Sequence, residues 1–268
     1  MPGSSTWVGR TERVRLVAGG REPPAGHRGD EPGEAPRGGV EWGFAAFFIG
    51  YGGYYLLVLV IGALLSGRST GFDPTDPPPF GPLLVVLFLP NLLLGLVPLA
   101  FSLFRGRGPR DDFGLVPTLR DLWVGLACGA AGLFGSLAVG LLLLALFDEW
   151  GQSTSPMDEI TRMGEGQTLW LVLFALFVLV GAPLTEELLV RGALWGALER
   201  YRVPPYAILL LTSLVFAFIH AEPRRVLVLF VGGLALGYAR LVTGRVAASM
   251  VAHASINLLP ALVVLLAG

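Results

Sequence analysis

Six side chains able to do chemistry stand out in the C-terminal half of this chain: Glu186, Glu187, Arg191, His220, His253 and Asn257. The first three lie in P-L-T-E-E-L-L-V-R-G, Pro183–Gly192, inside an otherwise apolar run. Ionisable groups in such a run are costly at bilayer depth and persist where they have partners and a task. Residues four apart on a helix share a face to within about 40°, so Glu187 and Arg191 can pair along one helix. Glu186 points about 100° away from Glu187 and has no local cation, which leaves it available. Phe216 and His220 repeat the four-residue spacing, as do His253 and Asn257. A carboxylate and a histidine in a water-filled cavity can activate water and then protonate a leaving amine. A second histidine and an amide can donate hydrogen bonds to a tetrahedral oxyanion. Those parts suffice for peptide-bond hydrolysis. The same atoms also make a His₂Glu zinc set, drawn from Glu186, Glu187, His220 and His253, with metal-bound water as nucleophile. The residue types accommodate both chemistries.

The elements that must position these groups are membrane helices. The chain has 268 residues, 53% hydrophobic and 15% charged, against roughly a quarter charged in an average soluble domain. Its apolar residues gather in runs of about 20, the length that crosses ~30 Å of hydrocarbon. A net charge of −1 gives no basic field and no argument for nucleic acid as a partner. The single cysteine, Cys128, lies in an apolar run and reads as a structural thiol. The fold class expected is all-α: a polytopic integral membrane protein of about seven transmembrane helices, with a polar site among the C-terminal spans.

Residues 1–40 are rich in Gly, Pro, Arg and Glu and read as a disordered polar tail. They lack the apolar stretch of a cleaved signal peptide. Residues 41–121 then form an N-terminal block of helices and loops, and residues 122–268 the core that carries the site. Spans are expected at Trp42–Leu65, Pro82–Phe104, Leu122–Phe147, Thr168–Arg200, Pro205–Ala221, Val226–Ala239 and Val246–Leu266. The sixth is short for a full crossing. The D-P-T-D-P-P-P stretch forbids helix, and the polar, acidic Asp148–Gln167 reads as a loop. Pro183 removes a backbone donor, so it should kink the fourth span and free a carbonyl near the motif. Arginines concentrate in the loops after spans two, four and six and in the tail, which places the N-terminus in the cytoplasm. A bacterial plasma membrane is the expected location.

Depth brings the polar groups together. Counted from the end of each span, Glu186 lies about 21 Å deep and His220 about 24 Å, on two arms of one hairpin. His253 and Asn257 come at about 12 and 18 Å, within the differences that helix tilt allows. Glu186 is then expected to face both histidines.

Other membrane-protease chemistries lack their residues. There is no H-E-x-x-H helix, no Gly-x-Ser-Gly motif, and no aspartate in the spans beyond Asp121.

T-E-E-L-L-V-R-G fits an E-E-x-x-x-R motif, F-A-F-I-H fits F-x-x-x-H, and H-A-S-I-N fits H-x-x-x-N. Each motif alone is weak, but this ordered triplet resembles the CPBP family of intramembrane proteases. That family includes type II CAAX prenyl endopeptidases and bacteriocin-processing or immunity relatives. The resemblance spans Leu122–Leu266, with the motifs inside Thr185–Asn257. Val190 departs from it, since an aromatic residue more often precedes the arginine.

Carried over, the resemblance implies Glu186 as general base and His220 as its partner in activating water. His253 and Asn257 would form the oxyanion site, with Glu187, Arg191 and Phe216 in support. The family name says metalloprotease, yet a metal-free glutamate mechanism has also been argued. The commitment of Glu187 to Arg191 favours the metal-free reading, with no required cofactor and zinc as the alternative. The partners implied are a peptide or membrane-protein substrate, CAAX-type or otherwise, and the lipid bilayer. A proton-coupled transporter and a non-catalytic immunity or scaffold protein are the competing functions. A transporter predicts repeated broken helices in matching halves, and none stands out.

Overall fold

A largely apolar run of 33 residues, with three charges in its interior and two at its C-terminal end, becomes the central helix of the computed structural model. The structure describes residues 40–66, 80–147 and 162–267. The expected tail except Val40, the proline-rich loop and most of the acidic loop lie outside the described residues.

Helices α1 (Gly43–Ser66) and α2 (Phe80–Arg105) form a packed pair, and the short α3 (Pro109–Phe113) follows them. Helix α4 spans Leu119–Leu146, and α5 is the continuous helical stretch Thr168–Arg200. Next come α6 (Pro205–Ile219), α7 (Val226–Thr243) and α8 (Val246–Ala267). Among the described residues all regular structure is helical. Six helices are long and apolar enough to cross a membrane; α6 is shorter, at 15 residues. The expectation of about seven spans holds as seven apolar helices, six of them full length. The short one is the fifth rather than the sixth. Helix α6 ends at His220 because Ala221 turns into the left-handed region at φ 53°. Helix α7 runs past the buried Arg240 to Gly244, whose φ of 71° supplies the left-handed cap.

Large apolar side chains such as Phe104, Trp123, Phe134 and Leu266 face outward. In water such a surface would drive association; against lipid tails it needs no cover. The structure fits an integral, multi-pass membrane protein.

Local polar groups set the helix ends. Thr118 and Asp121 form a reciprocal capping box at the start of α4, each side chain accepting from the other's backbone N–H. Arg245 Nε donates to the same Asp121 carboxylate at 2.9 Å, tying α4 to the start of α8. Helices α4, α7 and α8 pack together, and α6 lies against α7. Helix α5 runs through the middle, touching α1, α2, α6 and α8.

Within α5 the backbone departs from α geometry twice, at the π-helical stretches Phe177–Gly181 and Leu188–Leu194. The expected disturbance around Pro183 takes the form of a π-helical turn just before it. All seven residues of the second stretch are buried, as expected of a helix surrounded by protein. Gly233 on α7 allows one of the closest approaches to the site: a Cβ there would stand 3.2 Å from the Ser213 backbone of α6.

Candidate active site

The chemistry begins with two adjacent carboxylates sent in different directions by the twist of α5. Glu187 turns into the protein, and its side chain is fully buried. Its Oε1 accepts from Arg191 Nη1 at 3.0 Å, the i, i+4 pair expected along the helix. It also accepts from His253 Nδ1 at 3.0 Å, across to α8. Arg191 reaches further, donating Nη2 to the Gly233 carbonyl at 2.9 Å, and its guanidinium lies 4.7 Å from the centre of the Phe216 ring. Three helices and a cation–π contact thus converge on one buried charge pair.

Glu186 turns the other way, toward α6. Its Oε2 lies 3.7 Å from His220 Nε2, beyond direct hydrogen-bond length, and has no protein hydrogen-bond partner. His220 Nδ1 lies 2.7 Å from the Phe216 carbonyl. A carbonyl only accepts, so Nδ1 carries the hydrogen, and when the ring is neutral Nε2 presents its lone pair to Glu186. Two acceptors therefore face each other across a gap. A water about 2.8 Å from both would see them at an angle of about 80°, near enough to its own to donate one hydrogen to each. That is the arrangement in which water becomes a nucleophile.

Phe216 sits between the two imidazoles, its ring centre 4.6 Å from that of His220 and 5.5 Å from that of His253. It holds both rings and faces Arg191 as well.

Glu186, His220, His253 and Asn257 line one cavity of about 1050 Å³, together with Phe216 and Val178. The rest of its wall is mostly apolar residues of α4, α7 and α8, such as Leu137, Leu141, Leu236 and Pro260, with Glu222, Arg224 and Arg225 also on it. Glu187 and Arg191 lie behind this wall and hold it up.

Glu186 and both histidines line the same cavity; within it Glu186 lies beside His220, while His253 Nδ1 bonds to Glu187. Depth counted along straight helices puts His253 about 8 Å short of Glu187, between one and two helical turns. Among the described residues no group of three or more His, Cys, Asp or Glu side chains is arranged to hold a metal ion. The four candidate ligands divide into two pairs, Glu186–His220 and Glu187–His253, and Glu187 Oε1 is shared with Arg191.

Asn257 donates Nδ2 to the Val178 carbonyl at 2.9 Å. Neither Val178 nor Gly233 stood out in the sequence, because each contributes a backbone oxygen that any residue would carry. The proline five residues after Val178 is the one signal that pointed toward it.

A family model described as Rce1-like, type II CAAX prenyl endopeptidase, matches residues 168–259. That stretch contains all three motifs and every side chain placed in the site. Over it the chain is similar to that family, and the resemblance drawn from the motifs is borne out. No curated protein and no solved structure gives a significant match.

Proposed function

We propose that this protein is an intramembrane endopeptidase that hydrolyses a peptide bond with water activated by Glu186 and His220. The observation that carries this reading is the gap of 3.7 Å between Glu186 Oε2 and His220 Nε2, two acceptors lining a cavity in an apolar protein. Rce1-like similarity over residues 168–259 supports a protease of the CAAX type in general. A CAAX-type or other membrane-associated peptide is the substrate class that follows from it.

Glu186 takes a proton from the water as its oxygen attacks the scissile carbonyl carbon, and His220 holds the second hydrogen. The carbonyl π pair moves to oxygen and forms a tetrahedral oxyanion. His253, its Nδ1 held by Glu187 Oε1, meets that charge through its second ring nitrogen, which donates when it carries a hydrogen. Asn257 contributes the amide hydrogen that Val178 does not use. The proton on Glu186 passes to the amide nitrogen, the oxyanion pair re-forms the carbonyl as the C–N bond breaks, and a carboxylic acid and an amine leave. Glu187 and Arg191 keep His253 oriented, and Phe216 spaces the two imidazoles.

This chemistry uses the protein's own side chains and no required cofactor. The alternative is a zinc-dependent hydrolysis. Elemental analysis of the purified protein and the response of cleavage to chelators separate the two; stoichiometric zinc overturns the metal-free mechanism. The arginine-bearing loops support a cytoplasmic N-terminus.

The functional test is cleavage of a library of membrane-segment peptides, prenylated and not, in proteoliposomes. Wild type should cleave, and Glu186→Ala and His220→Ala should not. A wild type that cleaves nothing, with a cellular phenotype that survives both substitutions, would favour a scaffold or immunity role. Proton-coupled uptake of solute without cleavage would favour a transporter.

A further inference from the structure

Pro183 has no backbone hydrogen to donate, and the helix before it has shifted register by one residue. Ala182 N–H bonds to Phe177 O, an i→i+5 contact, at the end of the π-helical stretch Phe177–Gly181. In that register the next carbonyl, Val178 O, should accept from residue 183. Residue 183 is proline, and Ala182, the α-helical donor, is already spent on Phe177. Val178 O is therefore left without a donor in its own helix. A carbonyl at membrane depth that no donor of its own helix reaches needs another partner.

The partner is Asn257 Nδ2, at 2.9 Å from α8. Because Val178 offers only an acceptor, the amide must present its nitrogen there and cannot flip. One of its two N–H groups is used; the other remains. Val178 and Asn257 both lie on the wall of the cavity that holds Glu186, His220 and His253. A polar side chain at a membrane helix contact is often no more than glue. This one differs in that its acceptor exists only because a proline follows five residues later.

We propose that Pro183 is a positioning residue: by leaving the Val178 carbonyl open, it anchors the Asn257 amide so that the second N–H addresses the scissile carbonyl oxygen. This rests on the hydrolytic reading above. Pro183 itself touches no reacting atom.

The test pairs kinetics with a readout independent of activity. Pro183→Ala returns a backbone N–H to Val178 O and releases Asn257. Alanine is the better helix former, so thermal stability should not fall. The kcat should drop about tenfold with KM within about twofold, a fraction of the loss for removing an oxyanion donor outright. In an Asn257→Ala background, itself down about a hundredfold, Pro183→Ala should have no further effect. Unchanged kcat in Pro183→Ala, or losses that multiply in the double variant, would overturn the proposal.

The chain has two asparagines, Asn91 and Asn257, so ¹⁵N-asparagine labelling in micelles gives two side-chain NH₂ pairs. Asn257→Ala assigns them. In wild type one Asn257 proton should be downfield and slow to exchange, and Pro183→Ala should abolish that difference. Absence of this signature in an active wild type sinks the anchor alone. An intact signature in a wild type that cleaves no peptide sinks the hydrolytic reading, and the positioning role with it.

Discussion

Glu187→Gln keeps the shape of the side chain and removes its charge, and its cost can be reasoned from the contacts. Glu187 Oε1 accepts from Arg191 and His253, and both the carboxylate and the guanidinium are fully buried. The glutamine oxygen can still accept both bonds, but the arginine charge is left without a counter-charge in a dry interior. Breaking a buried pair in this way costs about 3–5 kcal/mol. Arg191 keeps the Gly233 carbonyl and the face of Phe216, which puts the expected loss near the lower end, about 3 kcal/mol. Replacing both charges, in Glu187→Gln/Arg191→Met, removes the unpaired cation and should recover at least about 2 kcal/mol of it. The Gly233 carbonyl lies mid-helix, so losing the arginine does not strand it. Reversible unfolding in mixed micelles measures all of these in one series. A single variant within about 1 kcal/mol of wild type, or a double variant no better than the single, would refute the buried-pair reasoning.

Other variants probe the neighbouring contacts. Phe216→Leu removes the ring that faces Arg191 and separates the imidazoles; stability should fall by about 1–2 kcal/mol, and cleavage by more than stability accounts for. Matched thermal and kinetic measurements check both. Gly233→Ala places a Cβ 3.2 Å from the Ser213 backbone and should cost about 1–3 kcal/mol by forcing α6 and α7 apart. Unfolding in the same micelles would reveal it. Asp121→Asn weakens both the α4 cap and the bond to Arg245, and should cost about 1–2 kcal/mol in that assay.

Much of this architecture is readable from residue type alone. Apolar runs of the right length become helices, and the expected limits of the spans fall within a few residues of those observed. Glu187–Arg191 pair as the four-residue spacing predicts, and Glu186, His220, His253 and Asn257 meet on one cavity. The errors have a common cause. Counting 100° and 1.5 Å per residue assumes α geometry, whereas α5 passes through two π-helical stretches. Turns of that kind hold more residues and shift what faces what. The contact of His253 Nδ1 with Glu187 is one that the count did not pick out. The acceptors that complete the site, Val178 O and Gly233 O, are backbone atoms and leave no mark on residue identity. The extent of α6 and α7 depends on a left-handed Ala221 and a left-handed Gly244. Only the glycine announces itself.

Whether Glu186 is the base is tested most directly by one comparison, the cleavage rate of Glu186→Gln against wild type in the same proteoliposomes. Glutamine keeps the volume beside His220 and cannot take a proton from water, so the rate should fall by about 10²–10⁴-fold while thermal stability stays at the wild-type value. A Glu186→Gln protein that retains more than about a tenth of the wild-type rate would contradict the account.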